Sequence, residues 1–104
     1  MQTGFLHESE LYVELKTGAT TLAFAADEMA KVNGLSLRPN RANERSAGYE
    51  IALVTDDPES AIDKAVSAGA VAMTAPQAKP WGQIVGYLRD HNGCLVEICS
   101  PVGG

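Results

Sequence analysis

A carboxylate among aliphatic residues is the feature of this sequence that best suggests chemistry. Glu97 lies in an apolar run, residues 94–99, and a second apolar run, residues 83–89, precedes the polar corner at residues 90–93. The corner contains Asn-Gly, which readily takes the positive φ of tight turns, so the pattern predicts a β-hairpin. If Arg89 and Cys94 close the turn as a cross-strand pair, Gly86 lies opposite Glu97. Because glycine has no side chain, this pairing leaves a gap beside the Glu97 carboxylate that could hold a ligand. The alternative is that Glu97 lies at a solvated edge of the sheet and Gly86 accommodates a bend.

The same register predicts which residues surround the gap. It places Leu88 opposite Leu95 and Ile84 opposite Cys99, all on the face of Glu97. Cys99 would therefore line the gap, although no base that would activate its thiol is identifiable.

Glu50 and Trp81 are two further candidates for the site. The alternation within residues 49–55 places Glu50 on the strand face opposite Ile51 and Leu53. Trp81 lies in a loop between a proline and a glycine, where it either stacks on a ligand or packs beneath the loop. A solvated glutamate is the alternative for Glu50.

The composition is that of an ordinary folded protein, with 104 residues, 45% hydrophobic and 20% charged. A chain of this length is expected to form one domain and to bury roughly two thirds of its unfolded surface. The net charge of −5 and the scattered basic residues argue against nucleic-acid binding. No apolar run is long enough to span a bilayer and no leader pattern opens the chain, so no membrane association is expected.

The two cysteines indicate a reducing compartment. Cys94 and Cys99 fall on opposite faces of one predicted strand, so they cannot pair with each other without breaking it. The sequence has no Cys-x-x-Cys or His-x-x-x-His spacing, and no zinc site is predicted. We therefore expect a cytoplasmic protein with reduced thiols.

Two segments rich in strands must position these residues. The first is predicted to form three antiparallel strands and a short helix, at residues 3–8, 11–16, 19–25 and 27–31. Asp27 is predicted to cap this helix and Asn33-Gly34 to end it. A polar loop without periodicity follows at residues 35–47.

The second segment is predicted to form a strand, a helix and three more strands, at residues 49–55, 59–68, 71–74, 83–89 and 94–99. Asp57 is a suitable cap for the helix, Pro58 suits its first position, and Gly69 ends it.

The second segment resembles the second module of the vicinal oxygen chelate superfamily, which includes glyoxalase I, bleomycin-resistance proteins and extradiol dioxygenases. The matching motifs are YEIALVTDD at residues 49–57, AGA at 68–70, PWGQ at 80–83, RDHNG at 89–93 and LVEI at 95–98. The resemblance covers about residues 5–101, and its motifs are strong from Tyr49 onward.

The resemblance implies an α+β fold of paired βαβββ modules, whose curved mixed sheets enclose a pocket. Within a single domain at residues 1–104, residues 48–101 would form a complete module, and residues 1–34 one without its opening strand and helix. In metal-dependent members, four side chains on the concave faces hold a divalent ion that chelates the substrate. The resemblance places Glu97 at the last ligand position and Glu50 at another.

Two departures from the family pattern argue against a metal. Ala23 falls where the first module would supply one ligand, and the ligand of its opening strand has no counterpart. Two carboxylates alone suit Zn²⁺ or Ni²⁺ poorly, whereas Mg²⁺ or Mn²⁺ with several waters is possible. We therefore expect no cofactor, with a divalent metal ion as the alternative.

The expected function is small-molecule binding, with ligand contacts from Glu50, Trp81, Gly86, Leu88, Leu95, Glu97 and Cys99. One alternative is a metal-dependent lyase or dioxygenase, with Glu50 and Glu97 as partial metal ligands and with Glu97 or a group of a partner chain as catalytic base. Another is an assembly protein that keeps the fold without a ligand. We also expect a homodimer, because an apolar meander without a covering helix favours association.

Overall fold

The computed structural model describes residues 2–8 and 12–102. Its elements are β1 (Gln2–Leu6), β2 (Tyr12–Lys16), β3 (Thr21–Ala25), α1 (Asp27–Val32), β4 (Glu50–Val54), α2 (Pro58–Ser67), β5 (Val71–Ala78), β6 (Ile84–Arg89) and β7 (Leu95–Cys99). The chain divides into two compact units, Met1–Pro39 and Asn40–Gly104. Leu11, assigned from the sequence to the second strand, lies outside the described residues.

The first unit contains an antiparallel sheet of order β1-β2-β3, as the alternation of its residues predicts. Glu14 of β2 lies opposite Ala23 of β3. The predicted cap of α1 is wrong, since Ala26 occupies the cap position without a side-chain hydrogen bond and Asp27 is the first helical residue. There its carboxylate lies near the positive end of the helix dipole. The predicted end of the helix is confirmed, with Asn33 at the C-cap.

The second unit contains a sheet of order β4-β7-β6-β5, in which β4 is parallel to β7 and the other pairs are antiparallel. A parallel neighbour requires a crossover, and α2 follows β4 directly to supply part of it. The order β4-α2-β5-β6-β7 is a βαβββ module, so the predicted α+β fold class is confirmed.

Helix α2 starts as its sequence predicts. The Asp57 carboxylate accepts a hydrogen bond from the backbone N–H of Ser60 (3.1 Å), and Pro58 occupies the first turn. The apolar stripe of the helix packs on one face of the sheet, where Ile62 joins Leu88 and Ile98 in a buried cluster.

Strand β5 extends to Ala78 and so exceeds the predicted strand at residues 71–74. Pro76 does not end the strand, because β5 pairs only with β6 and is an edge strand. Irregular pairing between Thr74 and Gln77 accommodates Pro76. An edge strand tolerates a residue without an N–H donor.

The predicted register of the β6–β7 hairpin is wrong by one residue. Tyr87, not Gly86, lies opposite Glu97, and Val85 lies opposite Cys99. Asp90 is the cause, because its Oδ1 accepts hydrogen bonds from the N–H groups of Asn92 and Cys94, both at 2.9 Å. These bonds hold Cys94 in the turn, so the strand pairing begins with Arg89 opposite Leu95. A shift of one residue moves every side chain of β6 to the opposite face.

Candidate functional site

The candidate site lies on the sheet face opposite α2, which we call the Glu97 face. The register brings three sets of residues to this face, one from each of β4, β7 and β6: Glu50, Ala52 and Val54; Leu95, Glu97 and Cys99; Val85, Tyr87 and Arg89. The residues that alternate with them, including Leu53, Val96, Ile98 and Leu88, pack against α2. Each strand therefore presents one apolar set to the helix and one chemically varied set to the other side.

Glu97 and Tyr87 form a hydrogen-bonded pair at the centre of this face. The Tyr87 hydroxyl donates to Oε1 of Glu97 at 2.9 Å, and both side chains are half-buried. This bond raises the pKa of Tyr87 above its ordinary value of 10.0, and desolvation and the charges of Glu97, Glu50 and Cys99 add to the effect. Tyr87 is therefore a neutral donor at physiological pH, and the carboxylate of Glu97, which has about four lone-pair sites, keeps capacity to accept from a ligand.

Cys99 lies beside Glu97 and is only 2% exposed. Burial raises the pKa of its thiol above 9.0, and the hydrogen bond and negative charge of Glu97 raise it further. Its Sγ lies 3.8 Å from the carbonyl oxygen of Leu53. A thiol held in the protonated form is a poor nucleophile. Cys99 therefore lines the site as an apolar side chain and not as a reactive group.

Glu50 lies at the start of edge strand β4 and is exposed. It is in register with Leu95, which is half-buried, while Ala52 is in register with Glu97. The negative charge of Glu50 contributes to the raised pKa of Tyr87, so the two glutamates act on the same phenol. The structure therefore brings Glu50, Leu95, Glu97 and Cys99 together on one face.

Three predicted site residues lie elsewhere. Leu88 is 4% exposed in the core cluster under α2. Gly86 is also on the helix side, where an added Cβ would lie 2.5 Å from Cδ1 of Ile62. Trp81 lies in the β5–β6 loop, and its indole N–H donates to Oε1 of Gln83 at 2.7 Å. The register error explains the first two, because it assigned β6 to the wrong face.

Sequence reasoning missed Tyr87, the hydrogen-bond partner of Glu97. Asp90 is the signal that could have predicted this pairing. An aspartate carboxylate can accept a hydrogen bond from the backbone N–H two residues later, here that of Asn92, and the resulting Asx turn lengthens the hairpin loop. A second pair was also missed: the Tyr12 hydroxyl donates to Oε2 of Glu14 at 2.8 Å in the first unit. Those two residues are two apart on one strand, a spacing that places them on the same face.

The donor atoms of the described residues do not by themselves fit a metal centre. Within residues 2–8 and 12–102, no three His, Cys, Asp or Glu side chains form a group that could hold a metal ion. On the Glu97 face, the potential donors are two carboxylates and a thiol that burial keeps protonated. Ala23, near which the resemblance implies a ligand from the first module, has no side-chain donor atom.

The chain belongs to the Glyoxalase/Bleomycin resistance protein/Dioxygenase superfamily, whose sequence pattern it matches over residues 6–98. The resemblance inferred from the motifs is thus confirmed. No match was found among curated proteins.

Solved structures share the fold at low sequence identity. A glyoxalase-related enzyme from Fulvimarina pelagi is 17% identical with a TM-score of 0.74, and the match covers 95% of this chain and 69% of that chain. A glyoxalase/bleomycin resistance protein/dioxygenase family enzyme from Burkholderia phytofirmans PsJN is 23% identical with a TM-score of 0.66, over 86% and 71%. TioX from Micromonospora sp. ML1 is 17% identical with a TM-score of 0.67, over 95% and 77%. At these identities the likeness establishes the fold alone.

The described part of the chain contains no helix with the length and apolar character needed to cross a membrane.

Proposed function

We propose that this protein binds a small molecule on the Glu97 face and does so without a metal ion. The ligand class is a cation or a hydroxylated compound that donates hydrogen bonds to Glu97 and Glu50. The observation that carries the proposal is the 2.9 Å hydrogen bond from Tyr87 to Glu97, which orients a half-buried carboxylate. A fixed carboxylate with unused lone pairs binds N–H and O–H donors more strongly than a freely rotating carboxylate does.

The apolar surroundings of the pair support binding rather than covalent chemistry. Val85 and Cys99 are buried on the same face, and they limit the water that competes for the carboxylate. The raised pKa of the Cys99 thiol keeps it in the protonated form, which is a poor nucleophile. The cytoplasmic location stays a prediction, and it agrees with the free state of Cys94 and Cys99.

A matched pair of sugars tests the ligand class. Glucosamine and glucose differ by one ammonium group in place of a hydroxyl, so we expect glucosamine to give larger saturable shifts in the amide NMR signals of β6 and β7. Glu97→Gln should remove the difference between the two sugars, because it replaces the negative charge with a neutral amide of the same shape. Glu59→Gln, on the exposed side of α2, is the control.

Equal responses to both sugars in wild type and Glu97→Gln would contradict a role for the Glu97 charge. The absence of any saturable shift on β6 and β7, with either sugar, would count against a binding site on this face and favour a protein that keeps the fold for assembly.

Metal content distinguishes binding from the metal-dependent alternative. We expect elemental analysis of protein purified without chelator to show far less than one metal ion per chain. Stoichiometric metal that is lost in Glu97→Gln and kept in Glu59→Gln would refute the metal-free proposal and indicate a lyase or dioxygenase of this superfamily.

A further inference from the structure

A cleft in the Asn40–Gly104 unit lies beside the guanidinium group of Arg89. It is open to solvent, has a volume of about 440 Å³, and is lined by residues 42–46 of the loop before β4, by Met73 of β5 and by Arg89 of β6. We call it the Arg89 cleft. None of the residues that form the Tyr87–Glu97 pair lines it.

The guanidinium of Arg89 is held in place by backbone carbonyl groups. Its Nε donates to the carbonyl oxygen of Gly93 at 2.9 Å, Nη2 to that of Arg41 at 3.3 Å, and Nη1 to that of Ala42 at 3.5 Å. These partners are neutral, so the positive charge of the arginine is kept. A guanidinium has five N–H donors, and the two not used here are on the two terminal nitrogens. Each terminal nitrogen therefore keeps one N–H group that can donate to a carboxylate.

The loop that lines the cleft is pressed against the hairpin turn. Gly93 has a φ of +83°, and a Cβ added there would lie 2.6 Å from the carbonyl oxygen of Arg41. That same oxygen accepts the N–H of Glu44 at 3.1 Å, which closes a turn in the loop. Arg89, Gly93 and the loop turn therefore all meet at the carbonyl group of Arg41. These contacts fix the loop that lines the cleft.

The charges and the apolar wall of the cleft select the ligand class. Its ionisable side chains are Arg45, Arg89 and Glu44, which gives a net charge of +1 in a chain whose net charge is −5. A single positive charge favours a monoanion, and Glu44 opposes a ligand with two negative charges. Met73 is 53% exposed and provides an adaptable apolar surface beside the cations. We propose that the Arg89 cleft binds a small monocarboxylate that carries an apolar group, with the carboxylate at Arg89 and Arg45 and the apolar group against Met73.

Arg89 belongs to the Glu97 face by register, but it is not among the ligand contacts proposed there, so this inference is independent of the proposed function. Glu97→Gln should therefore leave carboxylate binding unchanged.

Hexanoate and hexanamide are the probes for this cleft, because they share an apolar tail and differ in charge. We expect hexanoate, titrated to about 50 mM at constant ionic strength, to give saturable shifts in the amides of residues 42–46 and in the Arg89 Nε–H signal of ¹⁵N-labelled protein. Hexanamide should give none that saturate there, and acetate should bind more weakly than hexanoate because it lacks the tail. Arg45→Gln should weaken hexanoate binding about threefold, as expected for one solvent-exposed charge pair.

Arg38→Gln is the matched control, since it removes an exposed arginine that does not line the cleft. Equal weakening by Arg38→Gln and Arg45→Gln would show a general charge effect and overturn the proposal. Shifts that do not saturate, or equal shifts with hexanoate and hexanamide, would also overturn it. The hexanoate spectrum of the Arg45→Gln variant itself shows whether that variant is folded.

Discussion

At the scale of single residues, the Tyr87–Glu97 pair combines a neutral donor and a charged acceptor within one hydrogen bond. Ionisation of the phenol would place two negative charges within 2.9 Å of each other, and Glu50 adds a third negative group nearby. The pair is therefore stable only while the phenol keeps its proton. Because folding raises the pKa of Tyr87, the pair contributes stability below the ordinary value of 10.0, and that contribution is lost as the pH rises through the folded-state pKa.

A titration of the phenols tests this pair. The ultraviolet absorbance difference between wild type and Tyr87→Phe should show one tyrosine that ionises above pH 10.0, and Glu97→Gln should move it back toward that value. Tyr12→Phe is the control for a second tyrosine whose pKa a glutamate raises. If Glu97→Gln leaves the ionisation of Tyr87 unchanged, the hydrogen bond is not its cause.

Loss of the Tyr87–Glu97 hydrogen bond should lower the stability of the folded protein. Tyr87→Phe removes the donor and keeps the ring, so we expect a loss of about 1 kcal/mol in the free energy of unfolding at neutral pH, measured by urea denaturation. The loss should shrink above the folded-state pKa of the tyrosine, where the bond is already broken. A loss of the same size at both pH values would contradict this account.

At the scale of elements, helix α2 shows what local sequence determines. Asp57, Pro58 and the apolar spacing of the helix all act within one or two turns, and its start was predicted correctly. Asp57→Ala should cost about 1 kcal/mol of unfolding free energy because it leaves the N–H of Ser60 without its partner. Asp56→Ala, one residue earlier and exposed, should cost much less. Equal losses in thermal or urea unfolding would show that charge rather than capping matters here.

The packing of α2 on β6 depends on the absence of a side chain at position 86. An alanine Cβ would lie 2.5 Å from Cδ1 of Ile62 and 3.4 Å from the backbone of Pro76. We expect Gly86→Ala to destabilise the protein by about 1–3 kcal/mol through overpacking. Ile62→Val removes the atom that is in the way, so the double variant should lose less than the sum of the two single variants. Strict additivity would mean that the clash is relieved elsewhere.

The site itself was only partly predictable from the sequence. The family motifs and the alternation of β4 and β7 correctly place Glu50, Leu95, Glu97 and Cys99 on one face, since those signals are carried by neighbouring residues along each strand. The register of β6 depends instead on whether the Asp90 carboxylate accepts the N–H of Cys94 and so holds that residue in the turn, which the alternation along each strand does not reveal. Gly86 and Leu88 were assigned to the wrong face for that reason.

At the scale of the whole molecule, exposed apolar side chains in the first unit favour association. Leu6 and Phe24 both lie opposite Val13 on one sheet face, and they are 54% and 42% exposed. An apolar row of this kind on a small sheet is a common feature of interfaces between chains. The homodimer expected from the sequence is therefore our proposal for the assembly.

Light scattering at micromolar concentration measures the assembly directly. We expect twice the chain mass of 11.0 kDa for wild type and a shift toward the monomer in Phe24→Ser. Val66→Ser is the control, since Val66 of α2 is 43% exposed and lies in the other unit. A stable wild-type monomer would refute the dimer, and equal shifts in both variants would remove Phe24 from the interface.

The Asp90 turn also limits how this protein can change in evolution. Surface loops usually accept insertions and deletions with little effect, because they alter no packed element. In this hairpin, removal of a single residue from the turn would exchange the two faces of β6. Tyr87 and Arg89 would then point toward Ile62 and the core, while Leu88 would leave the core, so both the Tyr87–Glu97 pair and the Arg89 cleft would be lost in one step. Homologues that keep both sites should therefore keep the length of this turn even where its residues differ.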